Sequence, residues 1–241
     1  MFFQCKAVIF DLDGTLLDTI PAILKTCNLT LQKYSLPPLD ATLAKKFVGD
    51  GVAKLVERFL LHAGGMDAYH SLFQDACQTY LALFAQFCMD GVTPYPGIQD
   101  TLHALHNAGL RLGVLTNKPQ ERAEDNIFGF FGEGLFDAIY GITGSRIPKP
   151  DAVALLDMVK QFRLTPADCL YVGDTNTDMQ TARNASMPKA GALWGFRGRT
   201  ELECFRPEFL LEHPQEILAA CTSFETCQKR DEVKSQADGR F

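Results

Sequence analysis

The chain has little of what marks several protein classes. No apolar run is long enough to span a bilayer, and neither an internal repeat nor a low-complexity segment is present. Cys-x-x-Cys pairs are missing: Cys5, Cys27, Cys77, Cys88, Cys169, Cys204, Cys221 and Cys227 are scattered and form no clustered Cys/His ligand set, which argues against structural zinc. A disulfide framework is not expected in a chain with this much apolar material, so the cysteines read as reduced thiols of a cytoplasmic protein. The opening residues Met1-Phe2-Phe3-Gln4-Cys5-Lys6 lack the layout of a signal peptide. Basic residues are also in deficit, 23 Lys and Arg against 29 Asp and Glu, for a net charge of −6. That argues against a nucleic-acid polyanion as the principal ligand. It does not exclude a small phosphate, whose binding depends on local donors and metal.

What is present is an ordinary globular composition, 46% hydrophobic and 22% charged over 241 residues, enough for one large or two small domains. The stretch that organises it is Val8-Ile9-Phe10-Asp11-Leu12-Asp13-Gly14-Thr15. Three apolar residues, two of them β-branched, predict a short buried strand. Two carboxylates follow at once, and then Gly14 permits a tight turn. Acids at the end of an apolar strand need partners, either a metal ion or hydrogen-bond donors.

From Pro21, suited to a first helical turn, to about Asp90 the pattern is helical. Val52, Leu55, Val56, Phe59 and Leu60 form one apolar face, and Leu72, Phe73, Ala76, Tyr80, Leu81 and Phe84 form the next, with Gly64-Gly65 between them. After a linker at Thr93-Pro94-Tyr95-Pro96-Gly97 the rhythm becomes alternating helix and strand. Strands are predicted over Arg111 to Asn117, Phe136 to Ile142, Cys169 to Asp174 and Lys189 to Trp194, with an edge strand at Phe209-Leu210-Leu211. Helices are predicted over Ile98 to Asn107, closed by Gly109, and Asp151 to Phe162. This alternation predicts an α/β fold: a doubly wound, Rossmann-like parallel sheet with a small all-α helical insertion. The expected division is a core of residues 1–16 plus 94–221, a helical cap of residues 17–93, and a polar tail of residues 222–241.

Ligands of such a sheet bind at the carboxyl ends of its strands. Those ends carry Asp11 and Asp13, then Thr116-Asn117, then Gly173-Asp174 followed by Asp178, while Lys149 sits in the proline-flanked loop Ile147-Pro148-Lys149-Pro150. Singly, each has a plain structural reading: a helix-capping hydroxyl, a solvated lysine, an N-cap. Their recurrence at successive strand ends is the informative feature. His103 and His106 lie on an amphipathic helix without ligand partners, and Phe128, Phe130 and Phe131 read as core aromatics.

Taken in order, Asp11-Leu12-Asp13-Gly14-Thr15, Thr116-Asn117, Lys149 and Gly173-Asp174 with Asp178 resemble the four motifs of the haloacid dehalogenase superfamily. The segments Gly49-Asp50-Gly51, Val172-Gly173-Asp174-Thr175, Ala182-Arg183-Asn184-Ala185 and Trp194-Gly195-Phe196 are similar to its phosphoglycolate phosphatase branch. The resemblance implies a phosphatase of small phosphomonoesters, 2-phosphoglycolate foremost, with Asp11 as nucleophile and Asp13 as acid and base. It implies Mg²⁺ held by Asp11, Asp174 and the backbone carbonyl of Asp13, phosphoryl binding by Thr116, Asn117 and Lys149, and orientation of Lys149 or a metal-bound water by Asp178. Asp13 sets such a chain apart from superfamily members that cleave carbon–halogen bonds and from transport ATPases. The cap loop Gly49-Asp50-Gly51 would reach the substrate, with Lys54 or Arg58 as anion contacts. The implied partner is a small phosphorylated metabolite, with neither nucleic acid nor membrane, for a monomer or homodimer. Pyrophosphatase, nucleotidase, sugar-phosphate mutase and non-catalytic scaffold readings stay open. Ser186 stands where the pattern has Gly, at a helix end that needs a left-handed residue, and Ala152 replaces a frequent proline.

Overall fold

Residues Ala7–Phe10 (β1) are fully buried, as four consecutive apolar side chains must be when both faces of a strand are covered. In the computed structural model, which describes residues 5–222, β1 lies in a parallel sheet of six strands. Following β1 are a two-residue strand Leu17–Asp18 (β2), helices Ile20–Lys33 (α1), Ala41–Phe47 (α2) and Val52–Phe87 (α3), and a two-residue strand Thr93–Pro94 (β3). The rest alternates: Ile98–Asn107 (α4), Arg111–Pro119 (β4), Gln120–Phe131 (α5), Ala138–Ile142 (β5), Val153–Gln161 (α6), a 3₁₀ turn Pro166–Asp168, Cys169–Gly173 (β6), Asn176–Asn184 (α7), Lys189–Ala192 (β7), Arg199–Glu203 (α8) and Phe209–Leu211 (β8).

The sheet order is β5-β4-β1-β6-β7-β8. The chain builds outward from β1 to one side, then returns to build the other, so strand order reverses beside β1. Phe10 is level with Val114 of β4 and Val172 of β6. The residues just beyond each strand therefore emerge at one end, where ligands of doubly wound sheets bind.

Several boundaries differ from the sequence reading. Strand β4 runs on through Lys118 to Pro119, β5 starts at Ala138 and not Phe136, and β7 stops at Ala192 before the turn of Trp194 and Gly195. The expected linker at Thr93 pairs with Leu17–Asp18 as an antiparallel ribbon, where Pro94 is tolerated because this is an edge. The two expected apolar helices are present, α3 being two helices that meet in a kink at Gly65, whose φ of 69° and ψ of −162° lie outside the helical basin. Ser186 does take a left-handed backbone, φ 52°. Phe130 and Phe131 pack against the core, but Phe128 is 44% exposed, because α5 turns Ala123, Asn126 and Ile127 inward and Phe128 falls on the outer side. Within the described residues Cys5, Cys27, Cys77, Cys88, Cys169, Cys204 and Cys221 are free thiols, and no helix is long and apolar enough to cross a membrane. Apart from Thr222, the expected polar tail lies outside the described residues.

Candidate active site

The site starts with the turn that β1 runs into. Gly14 has φ +91°, and a Cβ there would collide with the Asp174 carboxylate. A glycine is thus required for the turn after β1 to pass so close to Asp174. Asp174 follows β6 directly. Its Oδ1 accepts from Thr15 Oγ1 at 2.8 Å and its Oδ2 from the Phe196 backbone N–H at 2.7 Å. Gly195 passes so near that a side chain there would strike both Asp174 and the Gly14 carbonyl.

Asp178 lies in the first turn of α7 and forms a capping box with Thr175. Its Oδ2 accepts from Thr175 N at 3.0 Å and from Thr175 Oγ1 at 2.6 Å. Its Oδ1 accepts from Lys149 Nζ at 2.6 Å. Lys149 Nζ also stands 2.8 Å from Asp11 Oδ1 and donates to the Tyr171 hydroxyl at 3.3 Å. The solvated alternative for Lys149 is excluded, since the side chain is 2% exposed. Its loop is pinned by Asn117, whose Oδ1 accepts from Lys149 N at 2.8 Å and whose Nδ2 donates to Lys149 O and to Gly49 O, both at 3.1 Å.

Oxygens of Asp11, Asp174 and Asp178 all lie within 4.8 Å of one another and are buried. One ammonium faces these three carboxylates, leaving two negative charges uncompensated. Burial, then the Asp178 charge, pushes Asp11 up to about 7 against the pull of Lys149. Burial likewise raises Asp174 well above the usual carboxylate range, with Asp178 and Asp11 adding to it. Burial alone would lower Lys149, but Asp11 and Asp178 outweigh it and hold the ammonium charged. Asp11 Oδ1, though close to Lys149 in distance, receives no well-directed hydrogen bond. An all-oxygen pocket with an orphaned carboxylate oxygen and a double charge deficit suits a hard divalent cation. Both oxygens of Asp178 are engaged by Lys149 and Thr175, and both oxygens of Asp174 by Thr15 and Phe196, which leaves Asp11 Oδ1 as the carboxylate oxygen of this cluster without a directed donor.

On the other side of Asp11 is a cavity of about 50 Å³, lined by Asp11, Asp13, Thr116, Asn117 and Lys118 from the sheet and by side chains of α1 and α3 and the 48–51 loop. Asp13 pairs with Lys118 at 2.6 Å. Lys118 is a site residue that the sequence reading misses, because it ends the strand at Asn117. The signal available is adjacency to Thr116-Asn117 and the stiffening Pro119. Thr15 stands in the first motif but is given no role there, and Tyr171, Thr177 and Arg197 are missed as well.

The loop at Val48-Gly49-Asp50-Gly51 does reach this end of the sheet. Gly49 O meets Asn117, and Asp50 accepts from Thr177 Oγ1 and pairs with Arg58. Burial would raise Asp50, but the Thr177 and Arg58 donors hold it below the usual range. Arg58 also donates to Phe47 O at 2.7 Å, and Lys54 pairs with Glu57 at 2.8 Å, more than half exposed. The two cations expected to contact an anion are therefore occupied within their own segment. Arg197, in the turn after β7, donates to the carbonyls of Lys45, Lys46 and Val48, closing the C-terminus of α2.

Residues 8–192 match the family model for haloacid dehalogenase-like hydrolases. A phosphoglycolate phosphatase of Pseudomonas putida is 31% identical over 222 residues, covering 90% of this chain and 79% of the relative. One of Rhodospirillum rubrum is 36% identical over 197 residues, covering 79% and 80%. The crystal structure of a predicted phosphoglycolate phosphatase from Haemophilus somnus superposes with a TM-score of 0.82 at 25% identity, covering 89% of this chain and 97% of that one.

Proposed function

The chain belongs to the haloacid dehalogenase-like hydrolase family, and from that premise we propose that it hydrolyses small phosphomonoesters through an aspartyl-phosphate at Asp11, with 2-phosphoglycolate as its foremost substrate. It is a phosphomonoester hydrolase, as its phosphoglycolate phosphatase relatives and its family together support. We take residues 17–93 as a cap over a core formed by residues 1–16 and 94–221.

Asp11 attacks phosphorus, forming the aspartyl-phosphate as the bond to the ester oxygen breaks, and Asp13 delivers its proton to that departing oxygen. Asp13, now a carboxylate, takes a proton from the water that attacks phosphorus. The Asp11–phosphate bond breaks, and inorganic phosphate and free Asp11 result. Thr116 and Lys149 bind the phosphoryl oxygens, and Asn117 holds the Lys149 loop and Gly49 in register. Asp178 keeps Lys149 in place from behind. Asp11, Asp174 and the Asp13 carbonyl would hold Mg²⁺, which supplies charge neutralisation so that a carboxylate can meet an anionic phosphate. The single observation that carries the reading is the convergence of Asp11, Asp174 and Asp178 around Lys149 beside the Asp13-lined cavity.

Phosphate release from a panel of phosphomonoesters, with Mg²⁺ and with EDTA, tests it. Release that EDTA abolishes and Mg²⁺ restores is expected. No release from any member by folded protein overturns the proposal.

A further inference from the structure

Lys118 has a place that the proposed chemistry does not use. Its side chain is 2% exposed, and its Nζ lies 2.6 Å from Asp13 Oδ1 and 5.1 Å from the Phe84 ring centre. Among the described residues it is the one basic side chain lining the cavity. The walls opposite are apolar: Ile23, Val52, Leu55 and Phe84. Confining an ammonium among such groups is costly unless its charge is answered. Asp13 takes one of its three N–H donors and leaves the others available. The other nearby cations stand elsewhere: Lys54 and Arg58 pair with Glu57 and Asp50 in their own segment, and Lys149, between Asp11 and Asp178, is assigned to the phosphoryl group.

We infer that Lys118 is the counter-ion for a second anionic group on the substrate, and that it selects phosphomonoesters of short hydroxy acids over those of uncharged alcohols. This rests on the role proposed for Asp13. To protonate the leaving oxygen, Asp13 must come within roughly 2.6–3.2 Å of it. Lys118 is one hydrogen bond further on, which sets the ammonium roughly 5 Å from the ester oxygen. In 2-phosphoglycolate one methylene separates ester oxygen from carboxylate, so the carboxylate spans that gap. An added methylene pushes it past the ammonium toward the apolar wall of Ile23, Val52, Leu55 and Phe84. Lys118 also joins the general acid to the recognised group, so recognition and proton delivery are registered on one side chain.

The test compares kcat/KM for 2-phosphoglycolate, 3-phosphopropionate and ethyl phosphate in the unaltered protein and in Lys118→Met, both with Mg²⁺. The unaltered protein should prefer 2-phosphoglycolate. A charge-assisted hydrogen bond to a desolvated carboxylate predicts that Lys118→Met loses about 10- to 100-fold on 2-phosphoglycolate and only a few-fold on ethyl phosphate, so the preference collapses. Lys118→Arg, which retains the charge, should recover part of it. An equal loss on all three substrates would mean that Lys118 only positions Asp13, and would overturn the inference. So would ethyl phosphate being turned over as well as 2-phosphoglycolate by the unaltered protein, a result that needs no variant and leaves the phosphatase assignment standing. No hydrolysis of these three by a protein that hydrolyses other phosphomonoesters would overturn the inference too, whereas no hydrolysis of any phosphomonoester would sink the phosphatase reading itself.

Discussion

Replacing Asp11 by asparagine in the metal-free protein should stabilise it at neutral pH and not at acid pH. Burial and the Asp178 charge raise Asp11 from an ordinary 3.8 to about 7. A carboxyl whose folded pKa is raised favours the folded state while it is protonated. Its contribution is complete below about pH 4 and is lost progressively as pH rises to about 7. Each pKa unit corresponds to about 1.4 kcal/mol, so the passage from pH 5 to pH 7 removes about 3 kcal/mol from the unaltered protein through this one group. For a chain of this length that is a fall in Tm of about 6–12 °C. The amide introduced by Asp11→Asn cannot ionise, so the variant escapes this part of the decline. Thermal unfolding in EDTA across pH 4 to 8, followed by calorimetry, measures the difference between the two proteins. Their curves should meet at about pH 4 and draw apart progressively up to about pH 7, with the variant higher. Mg²⁺ should restore the unaltered protein at pH 8 and do little for Asp11→Asn. Parallel curves at every pH, or equal Mg²⁺ stabilisation of both, would refute the reasoning that uncompensated buried carboxylates create this site.

Three further outcomes follow from the geometry. Asp13→Asn should lower kcat/KM by about 100-fold or more for alkyl phosphates and much less for p-nitrophenyl phosphate, whose leaving group needs no proton; steady-state rates on both esters check this. Gly195→Ala sets a methyl against Asp174 and the Gly14 carbonyl, so Mg²⁺ activation should require far higher metal; a Mg²⁺ titration of activity reads it. Arg197→Met removes the donors to the carbonyls of Lys45, Lys46 and Val48 and should loosen α2 by about 2 kcal/mol, raising KM more than it lowers kcat. The kinetic split, with protease sensitivity near residue 48, measures that.

Much of the architecture is legible in the sequence because its signals are local. Apolar strands such as Val8-Ile9-Phe10 and Leu170-Tyr171-Val172, broken by glycine and followed by acids, predict both a parallel sheet and the end at which its chemistry gathers. Asp11 and Asp174 can be named because each stands where a strand stops, Lys149 because prolines brace its loop, Thr116 and Asn117 because they close an apolar run, and Asp178 because it follows Asp174 by four residues. What escapes depends on distance in the chain. Lys118 is overlooked because its adjacency to Thr116-Asn117 marks its position but not its burial beside Asp13, 105 residues away. Thr15 and Phe196 support Asp174 from segments that meet only after folding. Lys54 and Arg58 are sensible anion contacts by position, but helical spacing and the 48–51 loop place Glu57 and Asp50 within their reach first. The exposure of Phe128 likewise depends on how α5 is rotated against the sheet, which one turn of sequence does not settle.

The proposed hydrolysis turns on covalent phosphorylation of Asp11. Mixing the protein with Mg²⁺ and 2-phosphoglycolate, quenching in acid on the millisecond scale and mapping the peptides by mass spectrometry tests it most directly. A phosphoryl group on Asp11, absent in Asp11→Asn, which also fails to release phosphate, is the predicted result. Phosphate release by Asp11→Asn at the unaltered rate, or an adduct at another residue, would contradict it.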